Sequence, residues 1–166
     1  MRFSIEQRYD APPDAVMAAY TDPDLYGTFH DLSKVAVPVV LSCERDGDHV
    51  HLRLQMQFIA ELSSAARRVV DPSRIRWVQD ERYDLARGTA AVVFRPDDYA
   101  DRFSCSGGYT FTATGDGGRC LRTTAGDLRI RVPLVGGQVE RAMVSGLREH
   151  FAEEQPLVAA WLQRAG

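Results

Sequence analysis

The chain is almost without lysine. Lys34 is the only one among 20 basic residues, and the other 19 are arginine. That skew fits a GC-rich coding sequence; it is an association and assigns no function. Cysteine is scarce as well. Cys43, Cys105 and Cys120 form no CxxC pair and leave an odd one over, which predicts a reduced, cytoplasmic setting. No long hydrophobic run exists. The longest, Val35 to Leu41, is too short to span a bilayer and contains Pro38, so stable membrane insertion is not expected. The first six residues, Met1 to Glu6, lack the apolar core of a signal peptide. Positive charge is not in excess either. A formal net charge of −3 and a pI near 5.8 argue against a nucleic-acid partner. Nucleotide motifs are missing: Gly136-Gly137 precedes a helical pattern without GxxxxGK[ST] or GxGxxG, and a turn requirement explains it better. Cys105-Ser106-Gly107-Gly108 does not match the nucleophile elbow GxSxG. No repeat, low-complexity tract or linker divides the sequence, so one domain over residues 1–166 is expected.

What is present is periodicity. Phe3, Ile5 and Gln7 alternate with Ser4, Glu6 and Arg8 as a first strand. Pro12-Pro13-Asp14 opens a helix whose buried stripe is Ala15, Val16, Ala19 and Tyr20. Asp22-Pro23-Asp24 starts a second short helix carrying Leu25, Phe29 and Leu32 at i, i+4 and i+7. Val37 to Arg45 reads as a strand, Asp46-Gly47-Asp48 as a hairpin turn. The next strand alternates cleanly: Val50, Leu52, Leu54, Met56 and Phe58 against His49, His51, Arg53, Gln55 and Gln57. Glu61 to Val70 is ambiguous, with Leu62, Ala65, Ala66 and Val69 suiting a short helix. Strands follow over Arg74–Tyr83, Thr89–Arg95, Arg102–Thr114 and Arg119–Val132. In the last one the apolar phase slips at Gly126, which predicts a bulge there. After Pro133-Leu134-Val135-Gly136-Gly137, a helix is predicted over 137–155, with Val139, Met143, Leu147 and Phe151 on its inner face and Pro156 kinking or ending it.

Strand, paired short helices opening with PPDAV, six strands and a terminal helix resemble the helix-grip superfamily. It includes START domains, relatives of the birch-pollen allergen and bacterial polyketide cyclases. The RVPLVGGQVERAM segment resembles an uncharacterised actinobacterial branch of it. The resemblance covers essentially the whole chain and implies an α+β fold: a curved antiparallel sheet of about seven strands wrapped around the long C-terminal helix. It also implies a cavity between sheet and helix for lipids, sterols, polyketides or other apolar molecules.

Candidate wall residues follow from that arrangement: Leu54, Met56, Phe58, Trp77, Tyr109 and Phe111 from the strands, and Val139, Met143 and Leu147 from the helix. A pocket of roughly 300–1,000 Å³ is expected, as for small-molecule sites in general. Tyr20, Tyr26 and His30 lie on the two short helices, which the resemblance implies are a rim over the cavity mouth, and Phe29 is a further ligand-binding candidate there. Gln79 and Glu81 share a strand phase with Ile75, Trp77 and Tyr83. Two polar groups on a buried face need water, a partner or a ligand. Either a wet cavity satisfies them or a bulge near Gln79 turns both outward.

Other residues have plainer readings. His30 titrates in a useful range, but its spacing shows no orienting partner, so a structural or surface role is expected. His49 and His51 could reach one ion together with Asp46 or Asp48, but two ligands and a loose carboxylate fall short of a zinc site, so no metal is expected. His150 is expected to pack or cap, and Cys105 to sit in the core or a cavity wall. Arg67, Arg68, Arg74 and Arg76 form one basic cluster, which could meet an anionic surface but by default is a solvated face.

Three functions compete. The first is a carrier or sensor for an apolar small molecule, without cofactor or catalytic group, as monomer or homodimer. The second is an enzyme resembling polyketide aromatases or cyclases, using Tyr, His or Glu groups in the cavity; such proton transfers need few residues. The third is a protein-interaction or co-chaperone-like module, which requires a packed interior and an exposed apolar patch.

Overall fold

The structure is a computed structural model and describes every residue except Ser63, Val69, Val135 and Gly166. Val69 and Val135, placed above from the sequence pattern, thus lie outside the described residues. Seven strands form one antiparallel sheet: β1 (Arg2–Tyr9), β2 (Val39–Asp46), β3 (His49–Gln57), β4 (Arg76–Asp84), β5 (Thr89–Pro96), β6 (Phe103–Thr114) and β7 (Arg119–Ile130). The order across it is β1-β7-β6-β5-β4-β3-β2, so β2 to β7 are a meander and β1 closes onto the last strand. Tight turns make the meander possible. Gly47, Gly88, Gly115 and Gly117 take positive φ at three hairpins, where a side chain would be strained.

Between β1 and β2 lie α1 (Pro13–Tyr20) and α2 (Pro23–Tyr26). Asp22 caps α2 by accepting the Asp24 N–H at 2.9 Å. This helix stops after four residues. Phe29 and Leu32 are nonetheless buried at 2 % and 4 % exposure, so the apolar spacing marks burial without marking helix. The ambiguous segment holds α3 (Ser64–Arg67) and a single 3-10 turn at Pro72–Arg74. The bulge is in β2, between Val40 and Ser42, and not at Gly126; β7 pairs with β1 and β6 without a shift.

The terminal helix α4 (Gly136–Ala165) has 30 residues and runs about 45 Å, well past its expected end. Pro156 lies inside it. Proline removes one N–H from the helical ladder, the donor to the Ala152 carbonyl, and its ring is exposed. Gln7 Nε2 donates to the Phe151 carbonyl at 2.9 Å, one turn before the proline. The helix packs on β1, β7 and α1. Its buried stripe is Val144, Phe151, Glu154 and Val158, with Leu147 half-buried beside it. Val139 and Met143 are half-buried, so the inner face is turned from the expected one. The core also contains Tyr26, Phe29, Leu32 and Val35 together with Leu52, Leu54 and Met56. Each such side chain contributes about 1.5–3 kcal/mol by leaving water.

Candidate functional site

The even-numbered residues of β7 face inward along its whole length: Cys120, Arg122, Thr124 and Leu128 are all buried. The break in apolar phase is therefore a pair of polar side chains on the inner face. Arg122 is only 2 % exposed. Its guanidinium carbon lies 4.0 Å from the ring centres of both Tyr20 and Tyr109, a cation held between two phenol faces.

Two hydrogen-bond networks meet at this arginine. In the first, Arg122 Nη1 donates to Glu154 Oε1 at 3.1 Å, to Tyr20 Oη at 3.1 Å and to the Gln7 side-chain carbonyl. Tyr20 donates to Glu154 Oε1 at 2.6 Å, its hydroxyl meets that of Tyr9 at 2.8 Å, and Gln7 Nε2 lies 3.3 Å from the same carboxylate oxygen. His150 Nε2 is 3.5 Å from Glu154 Oε2. In the second network Glu81 receives three donors: Tyr83 at 2.7 Å, Tyr109 at 2.8 Å and Gln79 Nε2 at 2.6 Å. Strand β4 runs without a bulge, so Gln79 and Glu81 do face inward, and protein donors satisfy the carboxylate.

The two carboxyl groups are held differently. Burial alone would raise Glu154, but the His150 contact and the charge of Arg122 hold it at about 2, against 4.5 ordinarily. Burial raises Glu81, only partly opposed by the hydrogen bonds from Tyr83, Gln79 and Tyr109. One arginine thus faces two carboxyl groups, one kept ionised and one pushed toward its protonated form. Such a split is what distinguishes a base from an acid in a shared site.

Beside the networks is a void of about 20 Å³. Thr124 and Tyr109 line one side, Cys105 and Phe94 another, and Leu147 and Phe151 of α4 a third. Gly107 lines it, and across the β6–β7 ladder Gly107 is paired with Gly126. A Cβ on Gly107 would come within 2.1 Å of the Ala125 carbonyl, and one on Gly126 within 2.8 Å of the Phe3 ring. Close strand approach therefore excludes side chains here and leaves the gap. Thr124 Oγ1, buried in its wall, has no hydrogen-bond partner among the described residues. This gap is far smaller than the expected pocket of roughly 300–1,000 Å³, and aromatic and polar side chains pack beside it.

The candidate residues are distributed accordingly. Of the strand residues expected in the wall, only Tyr109 borders the void. Leu54, Met56 and Phe111 are buried in the main core, while Phe58 is half-buried beside its bridge to Val35. Trp77 is half-buried and stacks on Phe94 with ring centres 5.5 Å apart. Tyr20, Tyr26 and Phe29 are core and not rim, and Tyr26 donates to the Tyr20 carbonyl at 2.7 Å. His30 is exposed, away from the interior. Leu147 borders the void, and Val139 and Met143 do not. On the outer face His51 Nε2 meets Asp80 Oδ1 at 2.9 Å, and Arg95 Nε meets Asp80 Oδ2 at 3.1 Å. Arg74 pairs with Asp98. Burial pushes the Cys105 thiol up to about 12, so it is no nucleophile at neutral pH.

Comparison with known proteins adds a family. A family model described as "Protein of unknown function (DUF2505)" matches residues 4–162. This chain belongs to that family. No curated protein matches the sequence. Among solved structures, the chain is similar to TTHA0849 of Thermus thermophilus: 16 % identity, 100 % of this chain and 99 % of that one covered, TM-score 0.68. It is also similar to the Zhui aromatase/cyclase of Streptomyces sp. R1128, at 16 % identity, 99 % and 94 % coverage and a TM-score of 0.67. Norcoclaurine synthase of Thalictrum flavum, in complex with dopamine and hydroxybenzaldehyde, gives 15 % identity, 100 % and 88 % coverage and 0.66. At these identities the likeness establishes the helix-grip fold. No described helix is long and apolar enough to cross a membrane.

Proposed function

We propose that this family member binds a small organic molecule between α4 and the inner face of β5–β7, as carrier or sensor. One observation carries the reading: a gap with an apolar wall borders a buried hydroxyl, Thr124 Oγ1, that lacks a partner among the described residues. A core built only for stability would place an apolar isostere there, because an unpaired buried polar group costs about 1–3 kcal/mol. Occupation requires the gap to widen. The first half of α4 is the element able to yield, since Val139, Met143 and Leu147 are all only half-buried. The body of the ligand is apolar, as Phe94, Leu147 and Phe151 demand. Two solved structures of this fold, an aromatase/cyclase and norcoclaurine synthase, are compatible with a small-molecule occupant. Native mass spectrometry of protein purified from its own host is the test. A retained organic molecule, lost from a Leu147→Trp variant that fills the gap, is the expected result. Protein free of any adduct, with no stabilisation by small aromatic compounds, would favour the interaction-module reading, for which exposed Val37, Val39, Leu41 and Ile59 would be the surface.

A second reading, an acid–base enzyme of the cyclase type, is favoured by the opposite shifts of Glu81 and Glu154 on either side of Arg122. It predicts turnover of a bound carbonyl substrate that Glu81→Gln abolishes while binding persists.

A further inference from the structure

We infer, on the basis of the interior site proposed above, that its ligand is a neutral molecule whose apolar body carries a carbonyl-type acceptor oxygen, taken by Thr124 and Arg122. Four buried side-chain atoms lack partners among the described residues: Trp77 Nε1, Arg122 Nε, Thr124 Oγ1 and His150 Nδ1. An indole N–H and a guanidinium N–H can only donate, and a threonine hydroxyl can donate. The buried acceptors are already served, with Glu81 receiving three donors and Glu154 Oε1 also three. Glu154 Oε1 and Glu81 Oε1 thus already receive three and two donors, while the indole N–H of Trp77 and the Nε–H of Arg122 have no acceptor among the described residues.

Position makes the surplus specific to the gap. Thr124 is in its wall. Arg122 is two residues along the same inward face of β7, its guanidinium carbon 4.0 Å from the Tyr109 ring centre and 5.3 Å from that of Phe151. Both rings line the gap. Trp77 stacks on Phe94, a third lining ring. An acceptor entering beside Tyr109 would thus meet unpaired donors, while a hydrocarbon would leave them unpaired. Charge sets the remaining choice. Arg122 already faces Glu154, with Glu81 as a second carboxyl in the same interior, so an anionic ligand would add negative charge where one cation serves two acids. A neutral ketone, ester or lactone meets both demands.

The test uses 1-tetralone, tetralin and tetralin-2-carboxylate, titrated into the full chain and followed by amide chemical shifts. Tetralone should bind about tenfold more tightly than tetralin, the worth of one hydrogen bond. Thr124→Val should reduce that preference to the part that Arg122 supplies, whereas Thr124→Ser should keep it. Tetralin binding as tightly as tetralone, or the carboxylate binding best, would overturn the carbonyl assignment and leave interior binding standing. No shift at Thr124, Tyr109 or Leu147 with any probe would remove the interior site itself, and this inference with it.

Discussion

Replacing Glu154 by glutamine tests the central claim, that a charged pair is locked inside the protein. Glu154 is 6 % exposed and Arg122 2 %. The guanidinium cannot shed its proton, so Glu154→Gln leaves a cation with its neutralising partner gone. Breaking a buried pair from one side costs about 3–5 kcal/mol. That is a large part of the roughly 5–15 kcal/mol by which domains are stable. With a urea slope of about 2 kcal/mol/M, the midpoint should fall by about 2 M. Arg122→Met with Glu154→Leu should behave otherwise, since it removes both charges and their desolvation. Tyr20 keeps its contact with Tyr9, and Gln7 Nε2 keeps the Phe151 carbonyl. The Gln7 side-chain carbonyl loses Arg122, which costs about 1–3 kcal/mol and offsets the gain. The double variant should therefore lie near wild type and well above the single one. The pH dependence gives an independent check. The native Glu154 pKa is lowered from 4.5 to about 2, so its contribution is complete above pH 4.5 and is lost as pH falls toward 2. The gap between wild type and Glu154→Gln should shrink over that window. A single-variant loss below about 1 kcal/mol at pH 7, or a gap that stays constant down to pH 2, would refute a desolvated pair.

Glu81 should respond in the opposite sense. Its native pKa is raised, so the stabilisation tied to its protonated form is complete below the ordinary carboxylate value and is lost as pH rises through the raised one. Glu81→Gln should then gain on wild type in urea midpoint as pH increases, and a gain toward acid pH would contradict the shift. Met143 does not line the gap and is half-buried, so Met143→Ala should cost less than the ~2–5 kcal/mol of a core truncation and leave probe binding unchanged. Leu147→Ala, which opens the lining, should tighten binding of bulkier probes in a displacement assay; unchanged affinity would place the site elsewhere. Pro156→Ala restores an N–H at an exposed helix position and should raise stability by about 1–2 kcal/mol in thermal melts, unless the helix bends there by necessity.

Element order was legible because both periodicities are strong. The alternation from His49 to Phe58 is matched by the burial of Val50, Leu52, Leu54 and Met56. Sequence reading went astray where apolarity and inwardness part company. Leu121 and Ala125 look like an inner phase of β7, but the inner phase is Cys120, Arg122, Thr124 and Leu128. Apolar pattern alone cannot assign an arginine inward, because the assignment depends on partners from β1, α1 and α4 that are remote in sequence: Gln7, Tyr20 and Glu154. A signal did exist. Val144, Leu147, Phe151, Glu154 and Val158 are spaced three, four, three and four apart, so a lone acid occupies a stripe of otherwise apolar residues. The length of α4 is hidden for a similar reason: proline has a local meaning as a helix end, while packing of α4 on β1, β7 and α1 is remote in sequence.

Why the grip should be filled with charge and phenol, when aliphatic side chains would seal it at lower cost, is a question the energetics narrow. A buried ion pair rarely stabilises a fold over a well-packed apolar equivalent. Stability alone therefore does not account for Arg122, Glu154 and Glu81 in one interior. Specificity of packing would account for a satisfied network, and most of this one is satisfied. It would not account for the four unpaired atoms, among them Arg122 Nε and Thr124 Oγ1, which gain nothing from being buried without partners among the described residues. Thr124 lies in the wall of the gap, and the Arg122 guanidinium carbon is 5.3 Å from the ring centre of Phe151, which also lines it. The satisfied groups then act as the rigid backing that fixes Arg122 between two rings, and the unsatisfied ones face the place where something else is to be recognised. If tetralone protects Thr124 and its neighbours from amide exchange while tetralin does not, the network is a binding surface with a structural back. If the Thr124→Val variant is simply more stable and indifferent to every probe, the network is a core with unpaired polar groups in it.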